Sequence, residues 1–312
     1  MTKIHRDALR SEVASIRALL ERSAGHDPLG SRSLQKRLAS LEAEIGQIED
    51  VEHNVASVAL VFDGEPVRGS SGIEADFAGK ALQDYQELVS KHVAAESGPL
   101  AERGRLPDQI HRQARMNVTA LVHGSFGFVL EEDGGDQPGM FETPAQRAVQ
   151  SVTNLLEEVA AADGRLFDAK LDELDIRIFH TLKRFIGTLH KARSTLRVSE
   201  EQRDLKLDVP SVERAFERVS QVDVEEIDET FEGELLGLVP IQRRFEFKKA
   251  DDGDVLQGRV AANLSADYLE RIEREGLVAA GGWRATIRTK TVLHPDGRHT
   301  SVSRTLLDLI RP

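Results

Sequence analysis

Two triplets place a carboxylate two residues before a lysine: Asp204-Leu205-Lys206 and Glu246-Phe247-Lys248. On an extended strand that spacing puts carboxylate and ammonium on one face, which suits a metal-dependent nuclease that holds Mg²⁺ beside a lysine. Highly charged strands also generate such triplets by chance. Other metal chemistry has less support. The chain has no cysteine, which excludes thiolate sites and disulfides, and its ten histidines are scattered, with no H-E-x-x-H and no other ligand spacing. No metal and no cofactor are expected. A serine hydrolase is equally unsupported, because no G-x-S-x-G elbow occurs.

The stretch ALVHGSFGFVLEEDGGD, residues 120 to 136, raises phosphate binding instead. Gly124-Ser125-Phe126-Gly127 followed by Val129 is similar to the end of the loop that covers ATP phosphates in protein kinases, and Ile4-His5-Arg6-Asp7 contains a kinase-like His-Arg-Asp. Spacing and order exclude a kinase. Val122 stands where the first glycine is needed, residues 130 to 169 contain no lysine, and the His-Arg-Asp precedes the loop. The glycines fit a tight strand connection, with Phe126 and Phe128 on one sheet face.

Cations give two further candidates. In GWRATIRTKTV, Trp283, Ala285 and Ile287 alternate with Arg284, Thr286, Arg288 and Lys290, so one strand face is apolar and the other carries three cations. Neighbouring strands add Arg298 and Arg304. This is the expected resting place for a phosphate backbone, although Trp283, Phe245 and Phe247 point inward and offer no stacking platform. The second candidate lies on LDIRIFHTLKRFIGTLHKA. There the stripe Leu171, Leu174, Ile178, Leu182, Phe185 and Leu189 faces a core, and Arg177, His180, Arg184 and Lys191 lie opposite. In an acidic chain these cations are expected to pair with neighbouring carboxylates.

The elements that must position these groups fall into three segments. Residues 1 to 50 read as a helical hairpin. Its second helix presents Leu34, Leu38, Leu41, Ile45 and Ile48 in a coiled-coil-like stripe, suited to an internal pair or to a contact between subunits. Residues 51 to 222 read as a central α+β domain, an antiparallel sheet covered on one side by helices, in which VASVALVF and EPVRG form a hairpin. The acidic run DVEEIDETFEGE, residues 223 to 234, reads as a boundary. Residues 229 to 312 then follow the order β-β-β-α-β-β, expected for a small barrel of OB or SH3 type.

The 312 residues are 40% hydrophobic and 30% charged, which suits a globular chain of about two domains. The net charge of −12 works against nucleic acid and acidic membranes on average, but residues 229 to 312 are balanced, with 13 basic and 13 acidic residues. Thirty arginines against eleven lysines suit a GC-rich bacterium, and the charged amino terminus and lack of a long apolar run suit a cytoplasmic protein. The sequence therefore predicts a non-enzymatic binding or assembly protein that self-associates or meets a protein partner. The alternatives are nucleic-acid binding by the C-terminal barrel and a metal-dependent phosphoester enzyme using Asp204 or Glu246.

Overall fold

The structure is a computed structural model that describes residues 28–47, 55–98, 100, 104–122, 126–133, 142–171, 173–200, 203–239, 241–261, 263–264, 266, 282–293 and 300–311, together with 13, 16 and 20. A five-stranded antiparallel sheet organises the central part, in the order β2-β3-β1-β4-β5. Its strands are β1 (Ser57–Gly64), β2 (Met116–Val122), β3 (Phe126–Glu132), β4 (Ser194–Ser199) and β5 (Asp204–Leu207). The apolar alternation of β1 sends Val58, Leu60 and Phe62 to one face. There they meet α2 (Ala75–Ser97), α4 (Pro144–Ala160), α6 (Ile176–Lys191) and α7 (Val209–Gln221).

Helices α4, α6 and α7 begin where the sequence supplies side-chain acceptors. Thr143 accepts from Gln146 N, Asp175 from Arg177 N and Asp208 from Ser211 N, each satisfying an amide that the first turn leaves unpaired. Short helices α3 (Asp108–Gln113) and α5 (Arg165–Leu171) complete the layer. The apolar stripe from Leu171 to Leu189 thus runs over two helices, because Asp175 caps a new start. EPVRG does not return as a strand beside β1. That strand is central, paired with β3 on one side and β4 on the other, so no edge is left for it. Phe126 and Phe128 share a face as expected, with ring centroids 5.7 Å apart. The His123–Ser125 connection and the His5–Asp7 segment lie outside the described residues.

The second sheet is a closed five-strand barrel of β6 (Asp223–Val239), β7 (Arg244–Lys249), β8 (Val255–Val260), β9 (Gly282–Leu293) and β10 (Thr300–Ile310). Strand β6 pairs with β7 and β9, β7 with β8, and β9 with β10; β8 and β10 close the barrel in parallel. Closure depends on Gly258, where an added Cβ would lie 2.2 Å from the Arg304 carbonyl oxygen and 2.9 Å from the Phe245 ring. Phe245, Phe247, Trp283, Ala285 and Ile287 fill the interior, as their parity requires. The acidic run that reads as a boundary begins β6 itself, in register with β9 from Asp223 opposite Leu293 to Glu234 opposite Gly282.

Helix α1 (Pro28–Gln47) carries Leu34, Leu38 and Leu41, which pack with the helical residues Val13, Ile16 and Leu20 in a cluster of their own. The Ile45 side chain, Ile48, Arg298 and most of the helix expected between β8 and β9 lie outside the described residues. Among the described residues no helix is long and apolar enough to cross a membrane.

Candidate ligand cleft between the sheet domain and the barrel

Strand parity places Arg284, Arg288 and Lys290 on the outside of the barrel, yet the outside of β9 is not all solvent. Val224 on β6 and Val292 on β9 insert into the core beneath α6, so the barrel wall around them is covered by the central domain. Arg284 lies beyond that contact, is exposed and pairs with Glu232 at 3.0 Å. Arg288 and Lys290 lie under it, 7% and 6% exposed.

Both buried cations are satisfied internally. Arg288 donates to both oxygens of Asp228, at 2.7 and 2.9 Å, and to the Leu100 carbonyl at 2.9 Å. Its hydrogen bonds to Asp228 raise its affinity for the proton further. Lys290 Nζ donates to the carbonyls of Leu171 and Leu174, at the end of α5 and just beyond it, where unpaired carbonyls favour a cation. The expectation that these two side chains are free to hold a phosphate backbone is therefore corrected: they clasp the barrel to the central domain.

Beside this clasp lies a cleft of about 640 Å³. Its walls come from α2 and the α5–α6 connection on one side, and from β8, β10 and Arg243 on the other. Six cationic residues line it, Lys170, Arg243, Arg259, Arg288, Lys290 and Arg304, against three carboxylates, Glu173, Asp175 and Glu226. Arg259 pairs with Glu173 across the domains. Arg243, held at φ +54°, uses its Nε on the Val260 carbonyl at 3.2 Å. Lys170 lies 3.9 Å from Glu158. Arg304 is half-buried, and its guanidinium forms no ion pair or hydrogen bond among the described residues.

Two polar atoms in the cleft wall are buried without a hydrogen-bond partner among the described residues. His92 Nε2 has no partner among the described residues; burial, with Lys170 nearby, pushes the imidazole down to about 4, so the ring is neutral at neutral pH. Glu226 is 6% exposed, and its Oε2 stands 3.5 Å from Arg288 without a hydrogen bond. Burial raises its affinity for the proton against the pull of Arg288 and Lys290. In the tautomer that carries its proton on Nε2, the neutral imidazole can donate to an anionic oxygen.

The remaining sequence candidates are dispersed. On α6, Arg184 binds Asp84 at 2.6 Å and also Glu87, and Arg177 donates to the Gly104 carbonyl at 2.7 Å. His180 is held below its ordinary range by burial and by Lys183 and Lys91, and Lys191 is exposed. Asp204 accepts from Arg197 and Ser199, which keep its carboxyl below the usual range, and Glu246 accepts from Gln257. These two carboxylates sit in different sheets, and among the described residues no group of three or more His, Asp or Glu is arranged to hold a metal. Sequence reasoning missed His92, Lys170, Arg243 and Arg259, which lie far apart in the chain. No protein-family model matches this chain, and no curated protein or solved structure is significantly similar to it.

Proposed function

We propose that this chain is a binding protein that takes an anionic, phosphate-like group in the cleft between its two domains. One observation carries the reading: in a chain of net charge −12, the cleft gathers six cations against three carboxylates, and the Arg304 guanidinium among them has no ion-pair or hydrogen-bond partner among the described residues. The pairing order β6-β7-β8-β10-β9-β6, with β8 and β10 parallel, supports an OB-type barrel, a scaffold used for binding oligonucleotides and oligosaccharides. The inward-facing Phe245, Phe247 and Trp283 favour contact with a phosphate over base stacking.

Calorimetric titration with inorganic phosphate, a nucleoside monophosphate and a single-stranded oligonucleotide tests this. Wild type should bind at least one of them in a salt-dependent manner, and Arg304→Ala or Arg243→Ala should weaken binding about tenfold, the effect of one charged hydrogen bond. Binding by none of the three, or equal binding by wild type and both variants, would remove the proposal. A second reading, assembly through the amino-terminal helices, is supported by the separate cluster of Val13, Ile16, Leu20, Leu34, Leu38 and Leu41. Loss of a partner on Leu38→Glu is its test.

A further inference from the structure

The two edges of the central sheet are built differently. Strand β5 is four residues long and carries Asp204 and Lys206, with Asp204 tied to Arg197 on β4; it is short and charged, as edges that stay single usually are. Strand β2, MNVTALV, spans seven residues without one charge, and among the described residues no strand pairs with its outer side. Val118 and Leu121 are 51% and 45% exposed. An antiparallel edge also leaves alternate amides and carbonyls pointing outward without ladder partners.

Both faces of this edge are apolar. Val118 lies opposite Leu130 and Leu121 opposite Phe128, so both belong to the face that the helices cover further in. Asn117, Ala120 and Val122 lie opposite Glu131, Val129 and Gly127 on the other face, where Ala59, Val61, Ala120, Val122 and Val129 form a separate apolar cluster. The register shift between Val118 and Ala120 makes this switch of face possible, with Thr119 at the irregularity.

That face pattern selects its own copy as the partner. Directly opposite residues in an antiparallel pair share a face. With a twofold axis between Thr119 and Ala120, Val118 meets Leu121 of the second copy, and Asn117 meets Val122 of the second copy. Both pairs match in face. A shift that sets Thr119 opposite itself fails, because Val118 would meet Ala120 from the other side. The uncharged strand also lets two chains of net charge −12 approach without like charges at the contact. We propose that β2 is a dimerisation strand: two copies pair antiparallel along it, joining their sheets through an isologous contact. This goes beyond the cleft and does not depend on it.

Light scattering on the full chain over a hundredfold concentration range tests the proposal. Wild type should reach twice its 34.5 kDa mass, while Val118→Lys with Leu121→Lys, both at exposed positions, should remain monomeric with an unchanged circular dichroism spectrum. Because the chain has no cysteine, a Val118→Cys, Leu121→Cys variant reports the register directly, and mild oxidation should convert it to a covalent dimer. Leu38→Glu should leave the dimer intact. Wild type that stays monomeric throughout, a dimer that survives the paired lysines, failure of the cysteines to cross-link, or dissociation by Leu38→Glu alone would each overturn the proposal.

Discussion

The β9 cations and the cleft-rim cations are the same chemistry put to different uses. Arg288 and Lys290 are buried, and each is matched to fixed acceptors on the central domain or on β6. Arg243 and Arg304 also line the cleft, and neither forms an ion pair with a carboxylate among the described residues. The difference teaches that strand parity sorts side chains between two faces of a sheet, while a second domain decides whether the outer face is solvent. Cations under the contact hold the structure; cations beside it remain available.

The largest expected effect follows from breaking the clasp. Arg288→Ala leaves Asp228 and Glu226 facing each other without their guanidinium and strips the Leu100 carbonyl of a donor. Removing one member of a buried ion pair costs about 3–5 kcal/mol. Urea unfolding should show a loss near the lower figure, since Asp228 retains some solvent contact. A loss below about 1 kcal/mol would place Arg288 with the available cations and erase the distinction.

Sequence periodicity made most of the elements legible. Leu171, Ile178, Leu182, Phe185 and Leu189 are buried at helical spacing, and Phe245, Phe247, Trp283 and Ile287 fill the barrel by strand alternation. Local pattern carries such information because each side chain's direction is set by its own backbone. The role of DVEEIDETFEGE was hidden for the opposite reason. Its charges read as a boundary, and only pairing with β9, about sixty residues away, makes it a strand. The cleft was invisible on the same grounds. His92, Lys170, Arg243 and Arg259 come from four separate segments, and nothing in any one segment marks its residue as facing the others.

A smaller effect, confined to acid pH, sharpens the comparison from the central-domain side of the cleft. His92 takes up its proton near 4 in the folded chain, below the ordinary imidazole value of 6.5. Between those values the unfolded chain binds the proton and the folded chain does not, so stability falls as pH drops through 6.5 and levels off near 4. The cost accumulates to about 3 kcal/mol. His92→Gln, which cannot charge, should lose correspondingly less stability over that interval. Parallel curves for wild type and variant would mean that the imidazole is not held neutral in the cleft wall.

Arg304→Ala should have the smallest effect on folding and is the most discriminating test. Its guanidinium has no partner among the described residues, so truncation breaks no ion pair or hydrogen bond and leaves no buried carboxylate behind. Only packing of the half-buried stem is lost, a change of about 0.5 kcal/mol at most for a position outside the core. Unchanged unfolding together with weakened phosphate binding would separate Arg304 from Arg288 in both properties. If Arg304→Ala instead destabilised the chain as Arg288→Ala does, the cleft would be held together by its cations throughout, and no charge would be left there for a ligand.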